Sequence, residues 1–139
     1  EPQRDPAALE RTRKLMDQAT RDSLITGYEG LIASLTLPDP DDRHVLAAAI
    51  VGHCNAIITQ NLKDFPEDAL RPYGIEAIHP DEFLHHQLSL APGIVCGAVR
   101  KVRARLKNPP YTIEEYLNEL TRQGLVATVG ALGEFSALL

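Results

Sequence analysis

With 139 residues, 44% of them hydrophobic and 24% charged, the chain has the length and balance of one soluble globular domain with a small appendage. A net charge of −5 is not the footprint of a protein that wraps nucleic acid, and no apolar run approaches the roughly 18 residues of a membrane span. Two cysteines, Cys54 and Cys96, exclude a disulfide framework and are expected as buried thiols of a cytoplasmic protein.

No charged-then-apolar leader opens the sequence. A start at Glu1 rather than Met suggests a processed or truncated product. The charge is uneven: residues 1–91 hold 8 Lys+Arg against 15 Asp+Glu, and residues 92–139 hold 6 against 4. An acidic body with a mildly basic tail fits a carboxylate cluster in the first part.

In chain order, Asp5-Pro6 opens a helix to about Gln18, with Asp as cap and Pro in the first turn. Ser23–Thr26 is a short strand candidate closed by Gly27, and Tyr28–Leu35 a short helix weakened by Gly30. Asp39 then caps, Pro40 takes the first helical position, and acids fill the first turn of a helix over Val45–Val51 that is apolar on most sides and ends at Gly52. Ala56–Thr59 follows as a fully buried strand, Asn61–Pro66 as a polar loop, Glu67–Leu70 as one helical turn, and Ile75–Ile78 as the next strand before a helix from His79-Pro80. This rhythm predicts an α/β fold with a parallel sheet, whose sites form at the carboxyl ends of strands.

After about Ser89 the strands stop. A helix is predicted from Ala91-Pro92 to Lys107, broken by Asn108-Pro109-Pro110. Thr112–Glu115 is a capping-box pattern for a helix ending near Gly124, and Leu125–Leu139 is a last apolar, helical segment. Residues 1–90 and a helical appendage over 91–139 are the expected divisions.

Asp39, Asp41 and Asp42 lie within four positions, and Asp64 lies one strand later. A helix head beside a strand's carboxyl end can bring Asp42 near Asn61 and Asp64, and these oxygens suit Mg²⁺ or Mn²⁺. Such an ion activates water and stabilises a phosphoryl transition state. The bland alternative fits the same residues: Asp39 caps, Asp41 and Asp42 sit on the helix dipole, and Asp64 decorates a loop.

Leu37–Phe65, LPDPDDRHVLAAAIVGHCNAIITQNLKDF, resembles the second half of a PIN domain, the nuclease fold of VapC-type toxins. Its members show an acid heading a buried Ala-rich helix, then a strand and a Thr-x-Asp/Asn-x-x-Asp-Phe loop, here Thr59, Asn61, Asp64 and Phe65. The wording Asp-Pro-Asp-Asp-Arg-His with a later Asp-Phe-Pro is close to a bacterial branch that carries extra C-terminal helices. The resemblance implies a three-layer α/β/α fold with a parallel sheet and a metal-dependent endoribonuclease paired with an antitoxin. It also implies an RNA substrate; assembly as a homo-oligomer is expected beside it, and the lack of a long apolar run leads to an expectation of no membrane association.

By position Asp42 matches the family's third acid, with Asp39 the other candidate, and Asn61 and Asp64 match the fourth acidic region. Metal binding is thus expected from Asp42, Asp39 and Asp64, and catalytic support from Asn61 and Thr59. Asn61 supplies no charge where many members have Asp. The family's N-terminal strand, ending in Asp, and its later Glu have no counterpart in residues 1–36. A domain lacking its N-terminal strand, and doubtful catalysis by this chain alone, are expected. The rival expectation is a non-catalytic interaction module that keeps the fold.

His44, His53, His85 and His86 show no zinc-site spacing with either cysteine. Arg100, Lys101, Arg103, Arg105 and Lys107 form one broad face of a helix whose other face carries Val95, Val99, Val102 and Leu106. That basic face reads either as a solvated surface or as a contact for RNA phosphates or an acidic antitoxin segment.

Overall fold

The computed structural model describes residues 24–139 together with Pro6, Ala7, Glu10, Arg11, Lys14 and Leu15. Those six are helical, in keeping with the helix expected there. The remaining residues of that stretch, and Ser23 of the first strand candidate, lie outside the described residues. Leu24–Thr26 form no strand. They run as irregular chain, and Ile25 packs its side chain against Gly52, where a Cβ would collide with it. A tertiary contact rather than strand pairing therefore orders this segment.

Helices and a small sheet alternate through the middle of the chain. A 3-10 turn over Glu29–Ser34 and another over Pro40–Asp42 lead into α1, Arg43–Val51. The Asp39 carboxylate accepts from the Asp41 N–H at 2.9 Å and Pro40 follows it, so the cap predicted from the sequence serves the 3-10 turn that feeds the helix. α1 buries Leu46, Ala47 and Ala49 and ends at Gly52. Strand β1, Ala56–Ile58, pairs in parallel with β2, Glu76–Ile78, in the register Ala56–Glu76, Ile57–Ala77, Ile58–Ile78. Between them run a 3-10 turn, Leu62–Asp64, the short α2, Glu67–Leu70, and a 3-10 turn, Arg71–Tyr73.

Among the described residues the fold is α/β with a two-stranded parallel sheet. Ile57 is buried and Ile58 is 41% exposed. The strand is half-buried rather than fully enclosed, because the described elements cover one of its faces.

Four helices follow: α3, Pro80–Leu90; α4, Pro92–Arg105; α5, Ile113–Arg122; and α6, Val126–Leu132, which runs on into a 3-10 turn, Gly133–Leu138. The capping box at α5 is formed in both directions, Glu115 N–H to Thr112 Oγ1 at 3.1 Å and Thr112 N–H to the Glu115 carboxylate at 3.0 Å. Gly124, at φ +94°, makes the left-handed turn between α5 and α6.

Two cores result. Leu35, Leu37, Leu46, Ala47, Ala49, Ile57, Phe65, Leu70 and Ile75 form the first; Leu88, Cys96, Leu132 and Leu139 form the second. α3 packs on α6 and α4, so its Leu88 belongs with the helical half of the chain. Cys96 is a buried free thiol as expected, and Cys54 is a half-buried one.

One carboxylate joins α3 to α6. Asp81 accepts from the Ala127 and Thr128 N–H groups, both at 2.8 Å, and from the Thr128 hydroxyl at 2.7 Å. It thus caps a helix 46 residues further on. Partial burial works against its ionisation, but these hydrogen bonds, with attraction from His79, outweigh it and hold the carboxyl below its ordinary value. Among the described residues no helix is long and apolar enough to cross a membrane.

Candidate metal-binding site

Asp42, at the head of α1, and Asp64, in the loop after β1, lie near enough for their charges to repel. Asp42 is the N-cap residue of α1, yet its carboxylate makes no capping hydrogen bond. Of its two neighbours, only Asp39 has its carboxylate engaged. Asp39 is engaged by the Asp41 N–H, and the Asp41 main-chain oxygen sits 2.7 Å from His44 Nδ1. The resemblance offers Asp42, with Asp39 as the other candidate, for one role; the Asp39 carboxylate accepts one backbone N–H and keeps further acceptor sites, while that of Asp42 accepts none.

The loop after β1 is shaped by its own backbone. Thr59 donates its N–H to Ile78 at 3.0 Å, extending the pairing one residue past the strand. Its Oγ1 accepts the Asn61 N–H at 3.1 Å, folding the chain back at once. Asn61 then opens the 3-10 turn, accepting the Asp64 N–H at 3.0 Å. Phe65, buried in the first core, anchors the far end of this turn. Asp64 is left half-buried and Asn61 exposed, and neither side chain has a hydrogen-bond partner among the described residues.

Electrostatics tie the two segments together. Partial burial raises the Asp42 carboxyl above its ordinary value; repulsion from Asp39, Asp64 and Asp41 adds to this, and His44 opposes it. Half-buried carboxylates that repel one another and lack donors are an arrangement a cation relieves. Their oxygens, with the Asn61 amide oxygen nearby in the loop, suit a hard divalent ion. No set of three or more His, Cys, Asp or Glu side chains among the described residues is grouped closely enough to hold a metal alone. The residues present therefore fit part of a site, with Asp42 and Asp64 as two candidate ligands.

The basic helix divides in the same manner. Arg100, Lys101 and Arg105 on α4 are exposed. Arg103, grouped with them by sequence as an RNA contact, is turned inward: its Nε donates to the Leu139 main-chain oxygen and its Nη1 to Tyr111, each at 3.0 Å. It sits 180° round the helix from Ile94, and that azimuth faces the end of the chain. Two features escaped sequence reasoning altogether, Asp81 as a cap for α6 and a 3.4 Å hydrogen bond from the Gln60 side chain, in the site loop, to Gln123 at the end of α5. Both join residues more than 40 positions apart, and no local pattern announces them.

Residues 80–134, the helical half, match the family model described as VapC50 C-terminal domain. Over 97 residues the chain is 42% identical to the protein named "Putative ribonuclease VapC50" of Mycobacterium tuberculosis (strain ATCC 25618 / H37Rv), a match that covers 70% of this chain and 57% of that protein. The chain belongs to the VapC-type PIN family. It spans little more than half the length of the curated relative it matches. No solved structure matches it significantly.

Proposed function

We propose that this chain is the C-terminal part of a PIN-like α/β/α domain with a helical appendage, and that it carries half of the metal site of a VapC-type endoribonuclease. The observation that carries this reading is the Asp42–Asp64 pair: two half-buried carboxylates from separate segments, free of capping duty, with Asp42 held protonated more readily than an ordinary Asp. The 42% identity to a protein whose name describes a ribonuclease supports the same chemistry.

In this reading Asp42 and Asp64 hold Mg²⁺ or Mn²⁺, and Asn61 offers its amide oxygen to the ion's water or to substrate. Thr59 acts at one remove, by pinning the Asn61 N–H and so fixing where the loop turns. The chemistry supplied by the ion when bound is activation of water against a phosphodiester and stabilisation of the charge that develops. Neutral Asn61 lowers the local negative charge, so Asp42 and Asp64 hold the ion less tightly than a site completed by a further carboxylate would. The substrate is RNA and the partner an antitoxin, with the protein acting in the cytoplasm as a homo-oligomer.

The test is Mn²⁺-dependent cleavage of structured RNA by this chain and by a version extended towards the relative's length, each beside its Asp42→Ala variant. Cleavage by the extended version that Asp42→Ala abolishes supports the reading; cleavage that survives Asp42→Ala refutes the site. A second reading, a non-catalytic interaction module on the same fold, is favoured by Asn61 in an acid's place and by the absence of a three-donor group among the described residues. Absence of cleavage with any metal would favour it.

A further inference from the structure

His44 lies in the first turn of α1, two positions after Asp42, and is exposed. The reading of the acid pair as a metal site gives it no work. Its ring is nevertheless held in place, because Nδ1 sits 2.7 Å from the Asp41 main-chain oxygen. A carbonyl oxygen only accepts, so Nδ1 must be the donor of this bond. An imidazole with one ring hydrogen then carries it on Nδ1 and keeps a lone pair on Nε2. Among the described residues nothing hydrogen-bonds to Nε2. The backbone of the acidic turn thus selects one tautomer and leaves an acceptor unused.

That acceptor borders the site. The imidazole is close enough to the Asp42 carboxyl to oppose the repulsion from Asp39, Asp64 and Asp41. It is not a third ligand, since no three such side chains among the described residues are grouped closely enough to hold an ion. A side chain that flanks an ion without binding it is placed to touch what the ion binds. A phosphodiester drawn to the ion brings its two riboses with it. Phosphate and ring oxygens only accept, so they offer nothing to a lone pair. The ribose 2′-hydroxyl is the donor of the RNA backbone, and DNA lacks it.

We infer that His44 Nε2 accepts a hydrogen bond from the 2′-hydroxyl beside the scissile phosphate, and so makes the site prefer RNA to DNA. This rests on the nuclease reading of Asp42 and Asp64 and adds a specificity-determining residue to it. A site that hydrogen-bonds a substrate hydroxyl discriminates against the analogue without it. His44 is exposed, so the discrimination is that of one solvent-accessible hydrogen bond, about tenfold.

The experiment uses the extended protein with Mn²⁺ and a structured RNA whose cleaved bond is mapped first. The RNA is then remade with a single 2′-deoxy nucleotide on either side of that bond, and kcat/KM is measured for each. Wild type should prefer the all-ribose substrate about tenfold at one of the two positions. His44→Asn places an amide nitrogen where Nδ1 was, which keeps the Asp41 bond and removes the outer acceptor; its preference should fall to about one. His44→Gln places an amide oxygen near the position of Nε2 and should keep most of the preference. Equal rates on all substrates in wild type, or the same preference in the two variants, would overturn the inference while leaving the nuclease reading standing. So would a loss in His44→Asn that is equal for ribose and deoxyribose substrates, which makes phosphate the group contacted. Absence of cleavage by wild type would overturn both.

Discussion

The two cores of this chain sit beside polar groups used in opposite ways. In the helical half Asp81 and Arg103 are spent on main-chain groups far away in sequence, and each closes a contact between helices or loops. In the α/β half Asp42, Asn61 and Asp64 stand on short, backbone-shaped turns with their side chains unengaged. The first pattern lowers a carboxyl's proton affinity and the second raises it. A charge satisfied by its own protein stabilises the fold; a charge left unsatisfied among its like is held ready for something that binds.

The contrast makes graded predictions. Asp42→Ala in the extended protein should reduce Mn²⁺-dependent RNA cleavage by about a hundredfold or more, while leaving circular dichroism unchanged. Leu46→Ala and Leu132→Ala each empty a fully buried position in a different core, and each should cost about 3 kcal/mol by urea denaturation. Hydrogen exchange should show the loss of protection concentrated in the core that was altered.

Asp81→Ala should cost about 2 kcal/mol, the loss of a helix cap whose donors are left unpaired. Its folded carboxyl lies below the ordinary value of 3.8, so the stability it adds is complete above that pH and fades as pH falls through the folded value. A thermal melt of the wild type and Asp81→Asn across acid pH would show the difference between them shrinking. Arg103→Ala should cost about 1 kcal/mol and Arg100→Ala less than about 0.5 kcal/mol, which separates the inward cation from an outward one.

At Asp42 the sign reverses. The folded state holds that proton more tightly than the unfolded chain, so stability declines as pH rises past the ordinary value of 3.8. Asp42→Asn should remove that decline and raise Tm slightly at neutral pH.

Local chemistry was readable from the residues alone. The Thr112–Glu115 capping box, the Asp39-Pro40 helix head, the stop at Gly52 and both strands stand within a residue or two of their expected places, because each depends on neighbours along the chain. Leu24–Thr26 has a strand's composition but no strand beside it, since pairing is decided by tertiary partners. The basic run on α4 could not be divided from sequence, because Arg103 differs from Arg100 only in facing the end of the chain. At the candidate site, spacing located the acids, and the resemblance offered Asp42 with Asp39 as the other candidate. Knowing which carboxylate receives a backbone N–H required the turn itself.

The most direct test of the central claim is the Mn²⁺ dependence of Tm for this chain, for Asp42→Asn and for Asp64→Asn. Binding to the folded state raises Tm with ion concentration. A rise in the wild type that either substitution removes is the predicted result; an equal rise in all three proteins, or none in the wild type, would contradict the assignment of Asp42 and Asp64 as metal ligands in this chain.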